Sequence, residues 1–284
     1  MLKRYLAALR SSCALVTLAS TVDWLAMTIR VLAPERDWSW LGAVHRRLQR
    51  RAEPSRNKRA RVVPAADLYA FGLELMRQGQ CKGGQEKNGL LAFRDGLMIA
   101  SLVSRPLRAS NFMAIEIGRQ LSRVGAGWAL CFPAAETKNA RPLEFPYPAE
   151  LGEALEHYLR VVRPGLIAFG RERSPRGRGR GCDAGQHLWV SLNGTRLHKA
   201  SLTHVLRKRT PARFGHLIGP HLFRDCAATS TMEEAPQHVH IAARLLGHAT
   251  LATTERHYIL ASTRQALSRH QKEVLALRKR ARRR

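Results

Sequence analysis

The chain has 284 residues, 48 Lys and Arg against 21 Asp and Glu, and a formal net charge of +27 at pH 7. A hydrophobic fraction of 45% supports a packed core in one large or two modest domains, and the basic excess points to a polyanion partner, most simply nucleic acid. The five cysteines, Cys13, Cys81, Cys131, Cys182 and Cys226, are scattered and form no CxxC pair. They exclude a zinc ribbon and read as reduced thiols, mostly core filling, in a cytosolic protein. No apolar run is expected to be long enough to span a bilayer.

In chain order, residues 1 to about 55 read as helices. The opening MLKRYLAALRSSCALVTLAS has the basic-then-apolar composition of a signal peptide, but helical periodicity continues through it. Leu18, Val22, Leu25, Ile29 and Leu32 follow one face, and the helix ends at Ala33-Pro34. Asp37 is the expected N-cap of a second helix that buries Leu41, Val44 and Leu48. Arg46, Arg47, Arg50 and Arg51 lie off that face, which suits either a solvated surface or DNA phosphates; with this net charge the second is preferred. SRNKRAR at 55–61 reads as a polar basic linker and a domain boundary.

Beyond it, Pro64 to about Gly79 is an amphipathic helix with Leu68, Leu75 and Met76 as core candidates. A second helix runs from about Gly89 to Ser104, with Arg105 and Arg108 just after it. Residues 115–148 alternate like a small antiparallel sheet, with Lys138 at a flexible hairpin tip. Leu151, Leu155, Leu159 and Val162 mark a helix stopped by Pro164-Gly165. The Gly/Arg-rich stretch 170–186 reads as a mobile surface loop, HLWVSLNG as a strand and turn, and Ala200–Thr210 as a basic helix. Whether read by periodicity or by punctuation, the chain is mainly α with a small antiparallel β-sheet, an α+β protein.

The most informative stretch is His221 to Tyr258. Pro220 suits the first turn of a helix on which His221 and Arg224, three apart, share a face. Pro236 starts the next helix and Gly247 closes it, so His248 sits at a turn; Tyr258 lies one turn into a short final helix. A guanidinium matches a phosphate edge with two parallel donors, imidazoles bond phosphate oxygens or move protons, and a phenol beside concentrated positive charge can attack phosphorus. These residues, His221-x-x-Arg224, Leu245-Leu246-Gly247-His248 and Thr253-Thr254-x-x-x-Tyr258, resemble those of the tyrosine recombinases, or phage integrase family. Arg108, in Arg108-Ala-Ser-Asn-Phe, and Lys138, in Glu136-Thr-Lys-Asn-Ala-Arg, fit that family's upstream arginine and hairpin lysine, and the resemblance covers roughly Val62 to Gln271. An ordered set of this kind is far more specific than one HxxR.

The resemblance implies a site-specific recombinase or integrase that breaks and rejoins double-stranded DNA through a 3′-phosphotyrosine, with Arg108, Lys138, His221, Arg224, His248 and Tyr258 as its catalytic residues. It implies no cofactor and no metal, a homotetramer on two duplexes, no membrane association, and a cytoplasmic, nucleoid-associated, bacterial-type setting. It also implies a helical, basic, DNA-clasping region with linker over 1–61, short for that role, a catalytic domain over 62–272, and a basic tail over 273–284. Alternatives are a decayed or regulatory DNA-binding relative and a type IB topoisomerase-like nicking enzyme. Three features depart from the family pattern. Asn111 stands where a glutamate is common, the His248–Tyr258 gap is one residue longer than the commonest form, and the N-terminal part is short.

Overall fold

The computed structural model describes residues 2–52, 59–81, 86–138, 140–173 and 184–234. Most of the expected linker, the core of the Gly/Arg stretch, the Pro236–Gly247 helix, His248, Tyr258 and the basic tail lie outside the described residues. The fold is mainly α with one three-stranded antiparallel sheet, as periodicity implies. It divides into two compact units, Met1–Ala60 and Arg61–Arg284.

In the first unit, α1 spans Leu2–Arg10, α2 Leu15–Leu32 and α3 Ser39–Arg51. The expected single long helix is broken between α1 and α2. Ser11 and Ser12 turn their hydroxyls back to the carbonyls of Ala8 and Leu9, and the Cys13 N–H also donates to Leu9, so serine competition closes α1. Asp37 acts one step outside the N-cap position, accepting from the Ser39 N–H at 2.8 Å and the Ser39 hydroxyl at 2.9 Å. The Ser39 bonds hold its carboxyl below the usual carboxylate range. Leu18, Ala19, Val22 and Ala26 are buried on α2, and Leu41 on α3 packs with Val22 and Ala26; Leu32, expected on that face, is exposed. All four arginines of α3 are exposed. Trp24, Met27 and Val31 form a second, exposed apolar stripe on α2. With mean hydropathy 1.4 over 18 residues, α2 is long and apolar enough to cross a membrane by length and composition alone. That corrects the expectation that no stretch reaches this size; the cause is apolar residues on two sides of one helix.

In the second unit, α4 (Ala65–Cys81) and α5 (Lys87–Ser104) form an antiparallel pair in backbone contact. A Cβ on Gly72 would stand 2.8 Å from the Gly96 carbonyl oxygen and from the Ala100 nitrogen. Leu68, Leu75 and Met76 are buried in the main core, as their spacing predicts. The five-residue α6 (Ala109–Met113) follows, then β1 (Leu121–Val124), β2 (Gly127–Phe132) and β3 (Leu143–Pro146) in that order. Leu121 faces Leu130 across β1–β2, and Leu130 faces Phe145 across β2–β3. Buried Leu121, Leu130 and Phe132 seat the sheet on the helical core.

α7 (Gly152–His157) does not stop at Pro164. It passes through a π-turn, Tyr158–Val162, into α8 (Arg163–Arg173). In the π-turn the Arg163 N–H reaches the Tyr158 carbonyl, five residues back. This shifts the register just where Pro164 has no N–H to give. The HLWVSLNG segment is a tight loop with single bridges instead of a strand, pinned by buried Trp189, whose indole donates to the Phe112 carbonyl at 2.9 Å. α9 runs from Lys199 to Phe214, past Pro211, and ends at Gly215 with φ +72°. α10 spans Pro220–Glu234. Of the described cysteines only Cys226 is buried, and burial pushes its thiol up to about 11; Cys81 and Cys131 are exposed, so core filling accounts for just one.

Candidate functional site

Four of the six expected residues line one cavity of about 520 Å³: Arg108, Lys138, His221 and Arg224, with Asn111, Glu136, Thr137 and Lys199 beside them. They come from three separate parts of the chain. Arg108 is the N-cap residue of α6, with extended backbone at φ −62° and ψ 142°, and its carbonyl accepts from the Phe112 N–H at 2.9 Å. His221 and Arg224 lie on the first turn and a half of α10. Lys138 sits at the tip between β2 and β3, after a 3₁₀ turn over Ala134–Glu136.

The two arginines are brought together by a backbone anchor. Arg224 donates from Nη1 to the carbonyl of Pro106, two residues before Arg108, and so ties α10 to the α5–α6 connection. Burial first, and then the charge of Arg108, lower the Arg224 pKa to about 10, while Asp225 opposes the shift. Arg224 therefore remains a cation at neutral pH, but in surroundings that disfavour the charge. An anion entering the cavity would offset both by stabilising the charged guanidinium. Arg105, the rival for Arg108, is committed elsewhere: its Nε donates to the Pro146 carbonyl at 3.0 Å and its guanidinium lies 5.9 Å from the Phe145 ring centroid.

The lysine tip is less free than a hairpin tip suggests. Thr137 is buried, and its hydroxyl donates to the Arg141 carbonyl at 2.7 Å while accepting from the Arg141 N–H at 3.0 Å. Glu136 is held by its carboxylate, which receives Gln120 Nε2 at 2.7 Å and is ion-paired with Arg119. Cationic groups thus outnumber the one lining carboxylate, and that carboxylate is already engaged. The cavity can take a dianionic or ester phosphate, with two guanidinia for its oxygens and an ammonium at its edge.

Sequence reading missed Lys199, which opens α9 and lines the cavity. Nothing in its spacing marks it in so basic a chain. It also missed the buried Asp95, which pairs with Arg94 at 2.6 Å and Arg209 at 2.8 Å and joins α5 to α9. The signal was present as a charged Arg-Asp pair inside an otherwise apolar helix. His248 and Tyr258 fall outside the described residues.

No family model matches the chain. It is 29% identical over 195 residues to a tyrosine recombinase XerC of Mycobacterium sp. (strain KMS), covering 64% of this chain and 56% of that one. It is 26% identical over 205 residues to tyrosine recombinase XerC of Mycobacterium leprae (strain TN), covering 72% and 62%. The chain thus spans little more than half the length of these curated relatives. Among solved structures, the fold is similar to an XerA recombinase, with TM-score 0.50 and 15% identity over 89% of this chain and 82% of that one. It is also similar to an XerH site-specific recombinase bound to a palindromic difH substrate in a post-cleavage complex, with TM-score 0.50 and 16% identity over 73% and 52%. In sequence the chain is thus similar to tyrosine recombinases, and in fold to solved recombinase structures.

Proposed function

We propose that the protein is a site-specific DNA recombinase that cuts and rejoins duplex DNA by transesterification. The observation that carries this reading is the convergence of Arg108, Lys138, His221 and Arg224 on one cavity from three separate parts of the chain. The Tyr258 oxygen attacks the scissile phosphorus; the new bond is P–O(Tyr258) and the bond broken is P–O5′. Arg108 and Arg224 balance charge on the nonbridging oxygens as the transition state forms. Lys138 gives a proton to the departing 5′ oxygen, and His221 assists transfer of the phenol proton. His248 donates a hydrogen bond to the phosphate. The products are a 3′-phosphotyrosine and a free 5′-hydroxyl. The covalent link conserves the energy of the broken ester, so the step needs no nucleotide and no metal. Attack by a 5′-hydroxyl of another strand reverses it and exchanges strands.

Duplex DNA is the partner this chemistry and the +27 charge require. A homotetramer on two duplexes accounts for four cuts, and a cytoplasmic, nucleoid-associated setting gives access to them. Residues 1–61 are assigned to DNA clasping, 62–272 to catalysis and 273–284 to nonspecific attraction.

The test starts from a duplex recovered by binding to the full chain from a randomised-sequence pool. A nicked form of that duplex, which loses a short fragment after cleavage, should trap a denaturant-resistant adduct. Tyr258→Phe should abolish the adduct and leave duplex affinity within about twofold. An adduct mapping to another residue would displace Tyr258. Adduct formation without strand exchange between two duplexes would indicate a topoisomerase-like enzyme.

A further inference from the structure

Asn111 is 8% exposed and sits three residues, one helical turn, after Arg108. Its Nδ2 donates to the Glu136 backbone carbonyl at 3.0 Å. A carbonyl can only accept, so the amide must present its nitrogen there. Glu136 lies two residues before Lys138 and is gripped from both ends: the carbonyl by Asn111, the carboxylate by Gln120 and Arg119. Gln120 is itself fixed, 2% exposed, with Oε1 accepting from the Glu116 N–H at 3.0 Å. The Thr137–Arg141 bonds then close the turn that carries Lys138. The Lys138 side chain is exposed, but its backbone is fastened to the helix that begins at Arg108.

We propose that Asn111 is a positioning residue: its amide bond to Glu136 docks the Lys138 turn against the Arg108 helix, which sets where the lysine meets a phosphate held by the arginines. The inference rests on the recombinase reading and deepens it. An ionised carboxylate at position 111 has no proton to donate to a carbonyl, so the asparagine does here what a glutamate could not do in the same geometry. A general acid works only within hydrogen-bond reach of the atom it protonates. A misplacement of about 1 Å costs on the order of 100-fold in rate.

The test uses the full chain and the selected duplex, with the bridging 5′ oxygen at the mapped cleavage position either normal or replaced by sulfur. A thiolate leaves without a proton, so the sulfur substrate reports everything except the acid step. Asn111→Leu removes the donor at similar volume. It should be slowed about 10- to 100-fold on the oxygen substrate, cleave the sulfur substrate near the wild-type rate, and bind the duplex unchanged. Combined with Lys138→Ala it should be no slower than Lys138→Ala alone. Equal defects on both substrates would make Asn111 a prop for the whole cavity and overturn the proposal, while sulfur rescue of Lys138→Ala would leave the recombinase reading standing. If Lys138→Ala is itself not rescued, the acid assignment fails instead. Asn111→Asp keeps the side-chain shape if the leucine variant does not fold. At pH 8 it should show the same sulfur-rescued defect, and wild-type cleavage of the oxygen substrate by it would refute the positioning role.

Discussion

Arg224 is a cation in surroundings that disfavour cations. Burial and Arg108 draw its pKa down to about 10, and it keeps its proton because a guanidinium starts far above neutral pH. A lysine in the same place starts lower, at about 10.4, and the same two causes would push it toward neutrality. It would also lose the second parallel donor. Arg224→Lys should therefore lower the cleavage rate by about 100- to 1,000-fold, the usual cost of losing one oxyanion donor, with duplex affinity changed by less than about threefold. The sign of the pH effect follows: lysine is active while protonated, so the defect should widen as pH rises from 6.5 to 9. Single-turnover cleavage across that range checks both points. A parallel fall in affinity would make Arg224 a docking contact. The arginines could be nominated from the sequence because HxxR fixes a helical face; that Arg224 reaches Pro106, 118 residues away, could not.

At the scale of elements, the α4–α5 pair is the floor on which the Arg108 segment stands. Apolar spacing predicts both helices, yet it does not show that they meet by backbone. Gly72 and Gly96 allow that approach, since a Cβ at either would fall within 2.5 to 2.8 Å of backbone atoms of the other helix. Gly72→Ala adds helix propensity of about 1 kcal/mol. It also forces the helices apart, at about 1–3 kcal/mol for overpacking, or more when the neighbour is backbone. The clash should prevail, and the melting temperature should fall by several degrees, at roughly 2–4 °C per kcal/mol for a unit of this size. An unchanged melting temperature would mean that α4 slides freely on α5. The π-turn before Pro164 was illegible for a related reason. A proline ends a helix unless the register shifts just before it, and that shift is decided by packing of Tyr158 and Val162, both buried in the core.

For the whole molecule, the question is which positive charges meet phosphates. Arg46, Arg47, Arg50 and Arg51 are exposed along α3. Each phosphate contact contributes roughly 0.9 to the slope of log affinity against log salt. If the α3 arginines grip the duplex, replacing all four with glutamine in the full chain should make that slope shallower by up to about 3 to 4 units. The Tyr258 adduct should still form at high protein concentration. Superimposable slopes would place α3 off the DNA and leave its arginines as solvated surface.

The order R…K…HxxR…LGH…Y, the helical faces of α4, α5 and α10 and the hairpin around Lys138 were all determined by local chemistry: periodicity, capping, proline and turn residues. Those signals span a few residues each and survive without the rest of the chain. What the tertiary structure alone decided are contacts between residues far apart in sequence. Arg108, Lys138 and Arg224 share a cavity because α10 bonds to Pro106 and because Asn111 holds Glu136. Arg105, three residues from Arg108, is excluded because β3 offers it a carbonyl and an aromatic face. Such pairings depend on how three segments dock at once, and no spacing rule encodes that.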